Sequence, residues 1–299
     1  MFGSAMLEVA IGIVLLYLLL SLICSALNEV IAGAFRLRAR NLHDGICSLL
    51  SDPGAKGLAA MIFDHPFIRG VMPAGAKGPP LPSYLHALTF SAALVDVLVP
   101  SDPRQPPATV TDLRKAVASI TNLEARRVLT TLIDQAEGDL TKVREKIETW
   151  FDDSMERVSG WYRRKVHWIL LGLGLALSVG LNADTFLIEN RLLHDSALRT
   201  AVVAQAEQVA RQPLDTTSAA VARVRSLSTQ LDALNLPLGW SNGPGGRFPK
   251  DAVDWIVKVA GLLATTIALS MGAPFWFGVL NRFVNVRNGG RPPERADQA

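Results

Sequence analysis

The sequence predicts an all-α membrane protein, and three observations carry that prediction. Residues 9–27 form a run of 19 without a charged side chain, enough helix to cross a bilayer core. Two later apolar runs, 166–181 and 252 to about 271, repeat the pattern with few polar interruptions. Period-two alternation, the mark of half-buried strands, is almost absent. A mean hydropathy of +0.25 with 19% charged residues is too apolar for an ordinary soluble chain and too polar for one held wholly in lipid. The expected architecture has three transmembrane helices, a cytoplasmic helical domain and an extracytoplasmic helical hairpin.

The boundaries fall in order along the chain. Residues 1–35 hold the first transmembrane helix. Glu8 precedes its apolar run and Arg36, Arg38 and Arg40 follow it, which by the positive-inside rule places the N-terminus outside and the next domain inside. No basic segment precedes the run and no small-residue cleavage site follows it, so it reads as a retained anchor. Glu29, at its end, reads as an interfacial partner for an arginine, with an intramembrane carboxylate as the functional alternative.

Residues 36–165 should form a cytoplasmic helical domain. Residues 36–50 read as a continuation of the first helix, ended by the DPG turn at 52–54. Pro66 disfavours helix at His65. The Gly/Pro-rich stretches 70–82 and 100–107 read as loops, and Ser83 as the N-cap of a helix reaching Val99 with Leu85, Leu88, Ala92, Val95 and Val99 on one face. Two further helices are expected near 109–121 and 122–137. From Asp139 one helix then passes from water to lipid. Val143, Ile147, Trp150, Ser154, Val158 and Trp161 form a mostly apolar stripe, and the second span, 166–181, follows with Gly160 as the expected bend.

Residues 182–251 read as the extracytoplasmic hairpin. Asn182 and Asp184 mark the exit from the span, 212–215 breaks two helical patterns, and 240–250 loops back. The third span is 252–273, where Lys258 sits one turn from Asp254 and should snorkel outward. Pro274 interrupts it. The remainder, 274–299, reads as an interfacial helix with Trp276 and Phe283 at the membrane surface, followed by a disordered tail, so that the C-terminus lies inside.

Several pieces look familiar. DHPFIRG at 64–70, PSYLHALTF at 82–90, WFDDSMERVSGWYRRK at 150–165, LPLGW at 236–240 and MGAPFWFGVLNRFVNVRNGG at 271–290 resemble a family of uncharacterised bacterial inner-membrane proteins. The resemblance implies a multi-pass protein of the bacterial inner membrane. It brings no activity and no catalytic residue.

Chemistry is thinly signalled. Cys24 and Cys47 would stand roughly 35 Å apart on one helical path, beyond the roughly 6 Å a disulfide spans. The five histidines are scattered and show no metal-ligand spacing. No nucleophile elbow or phosphate-binding loop occurs, so no catalytic, cofactor or metal residue is assigned and the enzyme reading is left open, leaning against. The net charge of +3 comes from basic residues beside the apolar runs, which argues for membrane lipid and against nucleic acid.

Two interaction signals remain. Gly172, Ala176 and Gly180 on the second span, and Ala260, Ala264 and Ala268 on the third, form small-residue ridges suited to close helix packing within the chain or in a homo-oligomer. Asp152, Asp153 and Glu156 form an acidic rim for a protein partner, against the plainer reading of a solvated helix face. The expected function is a non-enzymatic membrane anchor or scaffold, with an oligomeric channel or transport component as the alternative.

Overall fold

Apolar residues recur at helical spacing along most of the chain, and the computed structural model resolves them into helices, with no strand among the described residues. These are residues 2–70, 82–101, 108–211, 220–233, 236, 238–240, 248–249 and 251–289. Most of the two expected loops before residue 108, the break at 212–215, most of the loop at 240–250 and the tail from 291 lie outside them. The chain divides into two compact units, residues 1–31 with 165–299, and residues 32–164.

In the second unit, local chemistry sets each helix end. Arg36, in the left-handed region at φ 49°, separates α1 (Phe2–Ala34) from α2 (Leu37–Leu49), where the sequence suggests one helix. The Asp52 carboxylate accepts from the amides of Lys56, Gly57 and Ala59, closing the turn into α3 (Leu58–Asp64). In α4 (Pro66–Arg69), Pro66 takes the first helical position, where its missing N–H costs nothing, and the His65 side chain caps Phe67. α5 spans Ala87–Leu98, starting four residues after the expected Ser83 cap, and its Leu88 is exposed while Phe90, Ala93 and Leu94 are buried. Thr109 and Asp112 form a capping box on α6 (Val110–Ala118), and Asn122 caps α7 (Leu123–Asp134).

The core closes on α8 (Leu140–Gly180), which runs unbroken through Gly160. Val143, Ile147 and Val158 are buried as the stripe requires, but its aromatic anchor is Phe151, stacked on Phe90 with ring centroids 4.4 Å apart. Trp150 is half-buried and Trp161 is exposed. Phe151 lies 3–4 residues from Ile147, Ser154 and Met155, so the buried face turns slightly from the one drawn through the tryptophans.

In the first unit, α1 is the central helix, with 78% of its most apolar window covered by protein. The cover comes from α9 (Thr185–His194), α10 (Ser196–Ala210), α11 (Ala220–Ala233), α12 (Ala252–Ser270) and α13 (Ala273–Gly289), besides the end of α8. Ile188, Leu192, Val202 and Ala206 share one core with α1 residues from Val9 to Ile23. The segments expected as an extracytoplasmic hairpin pack against the first apolar helix. Gly12 permits this, since a Cβ there would stand 2.9 Å from Leu192.

The last helix also differs from expectation. Gly272, at φ 84°, turns the chain, and α13 runs back along the bundle until Arg287 reaches Glu8. Leu280 and Val284 are buried in the core, Trp276 donates its indole N–H to Ala268 O at 2.6 Å, and Phe283 packs against the same cluster. The stripe read as interfacial is a packing face. A part-buried charge network holds it, with Glu8 meeting Arg199 at 3.3 Å and Arg287 at 3.4 Å, and Arg287 also pairing with Glu207.

Two helices, α1 and α12, are long and apolar enough to cross a membrane, and the count becomes three if α8 and α9, bent by 52°, form one broken span.

The bond between His65 Nε2 and Asp96 Oδ2, 2.9 Å, ties α4 to α5. Hydrogen bonds from His65 and Ser101 hold the Asp96 carboxyl below its ordinary value. A carboxylate depressed in the folded state stabilises above its unfolded value, and that contribution is lost as pH falls through the folded one. Asp96→Asn should therefore reduce the acid sensitivity of the protein below about pH 4. Thermal melts over an acid series test this, and parallel losses in both proteins would remove the bond from the account.

Candidate functional site

The densest buried polar chemistry lies where α8 gives way to α9. The sequence there, Leu181-Asn182-Ala183-Asp184, stops one helix and starts the next. Asn182 adopts φ 49°, Ala183 N–H donates to Ser178 O and Asn182 N–H to Val179 O, the double closure of a left-handed C-cap. Asp184 Oδ1 then accepts from the amides of Phe186 and Leu187 and caps α9. Residues read as the exit from a span form the bend between α8 and α9.

Lys258 of α12 enters this hinge. Its Nζ lies 3.4 Å from Asp184 Oδ2, both side chains are under a tenth exposed, and the Trp240 ring stands 5.4 Å away. The ammonium is held inward, whereas the sequence reading had it snorkelling. Gly261 makes the room, since a Cβ there would fall 1.9 Å from Asp184 Oδ1. Trp240 donates to Val179 O at 2.7 Å, and Asn182 Nδ2 to Gly239 O at 2.9 Å, so segment 238–240 is fastened to the same hinge.

A hydroxyl relay adjoins the pair. Thr265 donates to Ala183 O at 2.5 Å, which leaves Thr185 to donate to Thr265 and Tyr17 to Thr185, at 2.9 and 2.7 Å. Ser178 donates to Leu262 O at 2.8 Å. Each group has a partner, so the arrangement holds helices together and leaves no hydroxyl of the relay poised for proton abstraction.

The predicted ridges fall beside this contact. Gly172, Ala176, Gly180 and Ala260 are exposed, Ala264 is half-buried, and Ala268 is buried. The helices meet instead at Gly174 and Ser178 of α8 and Leu262, Thr266 and Leu269 of α12, while Gly261 and Thr265 face the hinge and α9. Two small-residue registers were available on α8, and the one carrying Ser178 brings a hydroxyl to a carbonyl in an apolar setting. Sequence reasoning counted small side chains and overlooked the hydroxyls of Thr265 and Thr266, which were the usable signal.

The second unit contains an open cavity of about 370 Å³. Leu58, Met61, Leu98 and Ile120 supply apolar wall, and Asp52 and Asn122 a polar edge. Both polar residues are engaged, Asp52 by three amides and Asn122 through a 2.5 Å bond to Ser51 O. Asp152, Asp153 and Glu156 are exposed on α8, while Glu148 accepts from Ser91 at 2.8 Å. Arg38 and Arg40 are exposed and Arg36 is half-buried. Burial pushes the Cys47 thiol up, away from thiolate chemistry. Among the described residues no group of three His, Cys, Asp or Glu is arranged to hold a metal ion.

Compared with protein-family models, curated proteins and solved structures, the chain matches none.

Two substitution tests follow from the hinge and the ridge. Lys258→Met strands a buried carboxylate and should cost ~3–5 kcal/mol, while adding Asp184→Asn, which keeps the cap, should recover most of it. Equal losses in the single and double variants would show that the charges are uncoupled. Gly174→Leu, facing Thr266 O at 3.2 Å, should cost ~1–3 kcal/mol by overpacking. Ala176→Leu should be near neutral in the monomer, and denaturation in mild detergent separates the two.

Proposed function

We propose that this chain is a multi-pass scaffold of the bacterial inner membrane, anchored by its apolar helices and recruiting a protein partner through the helical domain of residues 32–164. The observation that carries the reading is the domain's construction. It has a continuous core of its own, yet keeps an open cavity of about 370 Å³ whose lining is part apolar and part polar. A cavity of that size and lining suits a partner's apolar side chains. The exposed acidic rim Asp152, Asp153 and Glu156 offers a second contact to a basic partner.

The membrane setting is supported by the outer surface of the first unit. Ser178 lies against Leu262, so the exposed Trp168 and Trp255 stand about 25 Å apart along the antiparallel pair α8 and α12. Exposed Leu175, Val179, Val259 and Leu263 lie between them. That pattern fits aromatic residues at two lipid boundaries with aliphatic surface between. Arg36, Arg38, Arg40, Arg163, Arg164 and Lys165 flank the domain and favour its cytoplasmic placement, and the resemblance of the WFDDSMERVSGWYRRK and MGAPFWFGVLNRFVNVRNGG stretches favours the bacterial inner membrane.

A transport role is the second reading, favoured by one observation, the buried Asp184–Lys258 pair at a helix break. The mutual pairing of its groups weighs toward a structural latch.

Recovery of partners in mild detergent tests the scaffold, using Thr121→Trp to obstruct the cavity and Asp152→Lys with Asp153→Lys to reverse the rim. Both sites are exposed, so the domain should stay folded, and each variant should lose the wild-type partner by about tenfold or more. Full retention by both, together with ion flux in reconstituted liposomes that Lys258→Met abolishes, would transfer the conclusion to transport.

A further inference from the structure

Basic residues crowd the ends of the helical domain nearest the apolar runs. Arg69, Arg114, Arg199 and Arg287 each meet a carboxylate. Arg38, Arg40, Arg163, Arg164 and Lys165 make no ion pair among the described residues. Arg38 follows the end of α1 by four residues, and Tyr162 precedes Val166, where the apolar half of α8 begins, by four. Tyr162 lies about 6 Å of helix rise from the apolar half of α8.

These two positions converge on one cavity of about 210 Å³, wholly within the second unit. Arg38, Asn41, Ser83, Tyr84, Ser159 and Tyr162 supply its polar wall, and Met155 and Val158 lie in its apolar floor. Asn41 Nδ2 donates to Val158 O at 3.2 Å, which fixes α2 against α8 at the rim. No lining residue carries a negative charge. A guanidinium, an amide and four hydroxyls over an aliphatic floor match a phosphate oxyanion attached to a glycerol and acyl stem.

We propose that this cavity binds the headgroup of an anionic phospholipid, with Arg38 pairing the phosphate and the Tyr162 hydroxyl donating to it. The ligand is a lipid because Tyr162 stands one turn before the apolar half of its own helix and the cavity has an apolar floor, which a free phosphate would leave unused. The site is independent of the partner cavity lined by Leu58 and Met61.

Native mass spectrometry of the full chain in neutral detergent, titrated with phosphatidylglycerol, phosphatidylcholine of the same acyl chains, and inorganic phosphate, tests it. Phosphatidylglycerol should bind about tenfold tighter than phosphatidylcholine, and Arg38→Gln should remove that preference. Tyr162→Phe, which deletes one hydroxyl and keeps the ring, should weaken it severalfold. Arg164→Gln, the same charge change outside the cavity, should leave it intact. Equal losses in Arg38→Gln and Arg164→Gln would mean diffuse attraction to the lipid surface and overturn the site. Displacement of lipid by equimolar inorganic phosphate would overturn its assignment to lipid.

Discussion

The hinge at residues 181–184 depends on one carboxylate doing two things. Asp184 caps α9 with one oxygen and receives Lys258 with the other. An ammonium buried among apolar helices is costly unless it is paired, and a helix break there exposes amides and carbonyls that also need partners. The two problems cancel at this point. The absent side chain of Gly261 is the geometric condition, because any Cβ would occupy the place of the carboxylate. The bend lets α9 and α10 continue along α1 where a straight helix would have carried the chain onward.

Close helix contact in this bundle is chosen by hydroxyls as much as by size. Gly174 brings α8 near enough to α12 for Ser178 to reach Leu262 O, while the exposed series Gly172, Ala176, Gly180 has equally small side chains and no donor. Among apolar helices the burial of further apolar surface discriminates poorly between registers, since that attraction is non-directional. A satisfied hydroxyl does discriminate. The same reasoning explains the relay from Tyr17 through Thr185 and Thr265, which joins α1, α9 and α12 through side chains that periodicity counts only as polar interruptions.

Legibility in the sequence followed the range of the interaction. Helix starts near 109 and 122 were readable, because the groups that cap them, Thr109 with Asp112 and Asn122, lie within three residues of the helix they start, whereas the expected Ser83 cap gave way to His86. The apolar runs and the helical class were readable for the same reason. Long-range pairings were not. Asp184 and Lys258 are 74 positions apart and Glu8 and Arg287 are 279, so each looked like a local flank of its own run. The face of α8 was read through its tryptophans because they are the largest side chains, but the stacking partner Phe90 selects Phe151. The cavity edges, built from Asp52, Asn122 and the ends of several helices, had no signature in any one segment.

The distribution of satisfied and unsatisfied groups separates what holds this protein together from what is left to bind. Among the described residues of the first unit the buried charges Asp184 and Lys258 are paired, as are the part-buried Glu8, Arg199 and Arg287. In the second unit the core residues Phe90, Phe151, Leu113 and Ile133 are enclosed, while the acidic rim stays exposed and two cavities stay open. A polar group whose partners lie within the fold contributes to stability and resists exchange, whereas an exposed guanidinium such as Arg38 keeps its hydrogen-bonding capacity for a ligand. By that physical criterion the groups left open to a ligand lie in the second unit, and the hinge residues belong to the packing of the first.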